Sequence, residues 1–129
     1  MSIQKHTTLS FDIKAQVTYS EAESRPDSGL HFFIYQISIT NKSNCPAQLM
    51  SRHWIISDGT GKIEEVRGAG VGGLQPKIQP NQTFQYESAA PLTSPTGTMK
   101  GTYQMLTENG ELVDIEIPEF YLISPLALN

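Results

Sequence analysis

Leu9, Phe11, Ile13, Ala15, Val17 and Tyr19 alternate with Ser10, Asp12, Lys14, Gln16 and Thr18. A period of two marks a strand with one wet face, and the same beat returns along the chain. No window sustains the 3.6-residue period of an amphipathic helix, which confines the chain to β architectures. Residues 20–29 are polar, with Pro26 and Gly29, and read as an exposed loop long enough to cross between sheets. A second strand begins near Leu30. It is apolar on both faces at first and then alternates through Tyr35, Ile37 and Ile39, as a central strand does, until the turn cluster Asn41-Lys42-Ser43-Asn44.

The third strand, 48–57, carries Met50, Trp54 and Ile56 on one parity and Leu49, His53 and Ile55 on the other. Asp58-Gly59-Thr60-Gly61 then signals a hairpin, with 62–67 returning. A glycine-rich segment precedes 77–79, and past Pro80-Asn81 the alternating Phe84 and Tyr86 mark another strand. Met99, Gly101, Tyr103 and Met105 share one face of 98–107, and Asn109-Gly110 reverses the chain into Val113, Ile115 and Ile117. The reading is an all-β antiparallel sandwich of seven to eight strands, one domain over residues 1–129, with a small barrel as the alternative.

The chain has 129 residues, 38% of them hydrophobic and 17% charged, which suffices for a core and is too little charge for a disordered chain. A net charge of −4 and the lack of any Lys/Arg run argue against nucleic acid as a ligand. The polar start and the absence of a long apolar stretch point away from a membrane and toward the cytoplasm. Cys45 is the single cysteine, so no intramolecular disulfide forms. Beside Pro46 it reads as a half-buried thiol at a strand boundary rather than a nucleophile.

Residues 68–73 spell G-x-G-x-x-G, but Pro76 and Pro80 follow where a dinucleotide fold needs a helix. The glycines are better explained as a loop beside a sheet edge, free to take positive φ and to let another backbone approach. His6, His31 and His53 lack the spacing of a metal site, and the acidic group Asp58, Glu64 and Glu65 belongs to a hairpin, where acids commonly serve solubility. No catalytic triad, nucleophile elbow or P-loop occurs, so no enzyme is indicated. Ser51-Arg52-His53-Trp54 is the densest chemically capable group. On a strand, Arg52 and Trp54 share one face and Ser51 and His53 the other, with Arg52 expected to cover Trp54 at the sheet end.

Several stretches together carry a resemblance: Ser51-Arg52-His53-Trp54, Val66-Arg67-Gly68-Ala69-Gly70-Val71, Gln75-Pro76, Phe84-Gln85-Tyr86, Pro91-Leu92-Thr93-Ser94-Pro95-Thr96-Gly97-Thr98-Met99, Gly101-Thr102-Tyr103 and Ile117-Pro118-Glu119-Phe120. The chain resembles the bacterial ApaG family, also called CorD, over essentially its whole length. It departs where Gly72-Gly73-Leu74 replaces the family's Val-Gly-Glu and Pro80-Asn81-Gln82 its Pro-Gly-Glu. Asn81 tolerates the left-handed conformation that the glycine supplies, so that turn should survive.

The resemblance implies an immunoglobulin or fibronectin type III-like sandwich and a name linked to cobalt resistance and magnesium efflux. Similar domains in some F-box proteins and in a polymerase delta-interacting protein imply protein binding. The leading expectation is a non-enzymatic module for an unidentified protein partner, with self-association compatible and no cofactor or metal. Its expected surface comprises Gly68, Gly70, Gly72, Gly73, Gln75, Pro76, Arg52 and His53. The alternative is a small-ligand or divalent-cation protein using the 68–73 loop and the acidic hairpin.

Overall fold

Among the described residues eight strands form in chain order: β1 (Phe11–Tyr19), β2 (His31–Asn41), β3 (Ala47–Asp58), β4 (Ile63–Ala69), β5 (Lys77–Ile78), β6 (Thr83–Leu92), β7 (Thr96–Thr107) and β8 (Leu112–Ile123). This computed structural model describes residues 8–128, and His6 lies outside them. The strands make two antiparallel sheets, β1-β2-β6 and β4-β3-β7-β8, with β5 also paired to β3. The only helical pieces among the described residues are 3-10 turns at Pro26–Ser28 and Pro125–Leu128. The all-β sandwich expected from the alternation is therefore the fold.

The 20–29 loop does not cross between sheets. β1 and β2 are neighbours in one sheet, with Tyr19 opposite Phe33, so this loop closes a wide hairpin. The first crossing is instead at 42–46, tied by Asn41. That side chain is fully buried, and its Nδ2 donates to Cys45 O and Ile78 O while its Oδ1 accepts from Ser43 N. An apolar residue there would strand three backbone groups, so the polar corner specifies the crossover.

The alternating faces bury Phe33, Ile37 and Ile39 from one sheet against Leu49, Trp54, Met99, Tyr103, Met105 and Ile117 from the other. Each such side chain contributes roughly 1.5–3 kcal/mol when fully buried. Leu49 and Trp54 sit on opposite parities in the sequence, yet both face inward. An extra residue, Met50, intervenes where the β3–β7 register passes from Leu49↔Met105 to Ser51↔Gln104. This β-bulge turns the strand over, which simple alternation does not foresee. A second irregularity sets Pro118 and Glu119 of β8 against Lys100 alone.

The two long sides of the sandwich differ. β8, one edge of the larger sheet, lies against β1. The opposite side presents β4 and, from the smaller sheet, β6.

Candidate functional site

The glycine segment is a clasp that fits into the Met50 bulge. Met50 O accepts from Gly70 N at 2.9 Å and from Gln75 Nε2 at 2.9 Å, while Leu49 N donates to Pro76 O at 2.9 Å. Gln48 Nε2 reaches Gln75 O at 3.0 Å. Gln75 and Pro76 thus fasten the segment to β3. Between them, Val71 and Leu74 exchange both backbone hydrogen bonds, and Gly72 (φ 57°) and Gly73 (φ 79°) form the two-residue turn. Two successive positive φ values are the signature of a type I′ hairpin.

Gly70 is required twice over, by φ 61° and because a Cβ there would stand 2.1 Å from Leu74 O. Among the described residues, nothing lies within 4 Å of where side chains at Gly72 and Gly73 would begin. The hairpin rests on buried Val71 and leaves its tip, with Leu74 57% exposed, facing solvent. No helix follows to receive a pyrophosphate: the next element is β5.

Arg52 joins the clasp from the inner face. Its Nη1 donates to Ala69 O at 3.1 Å and Gly70 O at 2.7 Å. The guanidinium lies flat against Gly68, where a Cβ would come within 2.9 Å of its carbon and both terminal nitrogens. A glycine opposite Arg52 therefore provides the space the fork occupies. Arg52 thus reaches out to edge strand β4.

Tyr103 stands opposite Arg52 on β7. Its hydroxyl meets that of Tyr86, from the other sheet, at 2.6 Å. Burial raises both phenols well above their ordinary value, so both stay protonated. Trp54 is wedged edge-on against Tyr35, Tyr103 and Phe120, and its Nε1 has no hydrogen-bond partner among the described residues. The chemical character of this tyrosine and arginine cluster comes from contacts between sheets, which alternation within one strand does not disclose.

His53 occupies the outer face, as its parity requires, with Nε2 2.9 Å from Glu65 Oε1. It lines an open groove of about 300 Å³ with Ser51, Arg52, Arg67, Gly68, Thr102, Gln104 and Asp114. Ser51 Oγ donates to Gln104 Oε1 across the groove. As neighbours on a strand Arg52 and His53 send their side chains to opposite faces, both residues border this groove, and Arg52 is the one hydrogen-bonded to the glycine clasp.

The acids of the 58–65 hairpin disperse. Asp58 Oδ1 accepts from Thr60 Oγ1, Thr60 N and Lys62 N, and the Thr60 hydroxyl is the largest influence holding its carboxyl below the usual range. Adjacent strand residues face opposite ways, so Glu64 and Glu65 do not converge. No group of three or more metal-ligating side chains gathers among the described residues. In the same residues, no helix is long and apolar enough to cross a membrane.

A family model described as the ApaG domain matches residues 21–107. Protein ApaG of Bdellovibrio bacteriovorus is 61% identical over 127 residues, spanning 98% of this chain and 100% of its own. Protein ApaG of Dechloromonas aromatica is 48% identical over 118 residues, spanning 92% and 93%. A crystal structure of an ApaA protein from Bordetella pertussis superposes with a TM-score of 0.88 at 42% identity, covering 92% of this chain and 97% of that one.

Proposed function

The chain belongs to the ApaG family, and on that premise we propose that it is a non-enzymatic binding module that contacts a partner protein in the cytoplasm through the glycine clasp and the β4 edge beside it. The observation that carries this reading is the form of the 71–74 hairpin. Its base is fixed to β3 by the Gly70, Gln75 and Pro76 hydrogen bonds, so little order remains to be lost on binding. Its tip offers bare backbone at Gly72 and Gly73 beside the exposed Leu74. A partner's main chain can approach such a surface closely.

Fold stability alone accounts for Gly70, and positive φ accounts for glycine at 72 and 73. Contact is therefore tested at the tip without disturbing φ. Asn tolerates the left-handed region, so the Gly72→Asn/Gly73→Asn variant keeps the turn while covering its backbone with side chains. Affinity capture from native cytosol should recover a partner with the wild-type chain and lose it with this variant, at an unchanged unfolding midpoint. Native mass spectrometry of the purified wild-type chain should show no retained small species. Undiminished capture by the folded double variant, or a stoichiometric small ligand with no protein partner, overturns the reading.

A further inference from the structure

Arg52 is half-buried, and no carboxylate pairs with it among the described residues. The carbonyls of Ala69 and Gly70 occupy Nη1 alone. Nε and Nη2 are left as donors. A partly desolvated guanidinium with spare donors and no counter-charge favours an anion supplied from outside. The neighbouring phenols add to this: the Tyr86–Tyr103 contact uses one hydroxyl hydrogen and leaves the other to donate elsewhere. Their raised proton affinity keeps both hydroxyls neutral, so neither repels an anion.

The guanidinium is reached from the side of the sandwich where β4 and β6 are the edges. Among the four sheet edges, β4 (Ile63–Ala69) is the one fitted to accept another strand. β8 carries Pro118 and an irregular register and lies against β1, while β6 carries Pro91. β4 has no proline, and each of its residues is exposed or half-buried. A strand added to it would run about 4.8 Å beyond Gly68. Because Gly68 has no side chain, none from this position stands between the guanidinium and an acidic residue on that strand. The nearest inward-facing acid on β4 is Glu64, four residues and about 13 Å along the strand.

From this arrangement we infer that the partner is an extended peptide segment that pairs with β4 and places an Asp or Glu side chain on Arg52. This inference rests on the protein-binding reading and names the chemistry of the partner. Main-chain bonding to the edge supplies affinity, and the single acidic position supplies specificity.

A library of random dodecapeptides displayed on phage, selected on the full chain, tests it. The expected consensus is a run of β-branched or aromatic residues with Asp or Glu at one fixed position. A synthetic consensus peptide should shift the backbone amides of β4 in a saturable way. Its Glu→Gln or Asp→Asn counterpart should bind roughly ten- to a hundredfold more weakly, as expected for a lost charged hydrogen bond. That comparison uses the unaltered protein, so it holds even where Arg52→Met perturbs the clasp. On folded Arg52→Met the preference for the acid should vanish.

The inference is overturned by no consensus, a consensus lacking the acid, equal binding of the amide counterpart, or shifts away from β4. Sodium glutarate binding as tightly as the peptide would also do so, by showing a site for free carboxylates. A captured partner that ignores Arg52→Met would defeat this inference and leave the binding-module reading standing.

Discussion

The hydroxyls of Tyr86 and Tyr103 meet at 2.6 Å, joining the edge strand of the smaller sheet to the middle of the larger one. Tyr103 is fully buried and Tyr86 half-buried, so the two ends of this bond are unequal. Removing the Tyr86 hydroxyl leaves its partner in the core without an acceptor or donor, at a cost of about 1–3 kcal/mol. Removing the Tyr103 hydroxyl leaves a group that water can reach, at about 0.5–1.5 kcal/mol. Denaturant unfolding of Tyr86→Phe, Tyr103→Phe and the double variant should show the double variant less destabilised than the sum of the singles. Simple additivity would mean that the bond carries no coupling.

The same pair gives the protein an alkaline limit. Burial is the largest cause of the raised pKa in both phenols. A raised phenol binds its proton more tightly folded than unfolded, so the unfolded chain releases protons first as pH climbs. Stability is then whole below the ordinary phenol value of 10.0 and declines above it. Urea midpoints measured between pH 8 and pH 11 should fall at the alkaline end, more steeply for wild type than for Tyr86→Phe/Tyr103→Phe. Equal slopes would remove these two groups as the cause.

Among the glycines, position decides the penalty. At Gly101 an added Cβ would stand 2.0 Å from His53 O, and at Gly70 2.1 Å from Leu74 O, both rigid backbone. Gly101→Ala and Gly70→Ala should each lower stability by more than about 3 kcal/mol, since strand or clasp must move. Gly72→Ala meets open space and incurs only the left-handed penalty, about 1–2 kcal/mol. Thermal unfolding of the three variants checks the order. Gly72→Ala as damaging as Gly70→Ala would show that the tip is not open.

Much of what is local along the chain was legible before the fold was known, although the 20–29 loop, expected to cross between sheets, joins the paired strands β1 and β2. Asn109-Gly110 and 58–61 close the β7–β8 and β3–β4 hairpins, and the inward sets Tyr35, Ile37, Ile39 and Met99, Tyr103, Met105 follow their alternation. What depends on pairing between distant strands was not. The pairing of β2 with β6, and therefore the division into two sheets, has no local signature. The Met50 bulge inverts parity within one strand, because the clasp hydrogen bonds from Gly70 and Gln75 must be met there. The candidate surface behaved the same way: the glycines were visible as residues of unusual φ, whereas the reach of Arg52 to Ala69 O and Gly70 O, and its lack of an acid, arise only when β4 is laid beside β3.

Asn81 tests how far a single turn can be read from residue type. It is the one non-glycine residue with positive φ among those described, at 67°, and its N–H donates to Asn41 O at 2.7 Å while Gln82 N closes onto Gln79 O at 2.9 Å. The left-handed conformation is forced by these bonds, which anchor β6 to the buried Asn41 corner. Asn and Gly both enter that region readily, whereas a Cβ without a compensating side-chain amide opposes it. Asn81→Gly should therefore stay within about 0.5 kcal/mol of wild type, and Asn81→Ala should lose about 1 kcal/mol. Both variants keep the backbone donor, so their difference isolates the conformational cost from the hydrogen bond. If urea titration finds Ala and Gly equally stable at this position, the turn does not impose the conformation, and the anchoring of β6 must come from the Asn41 corner alone.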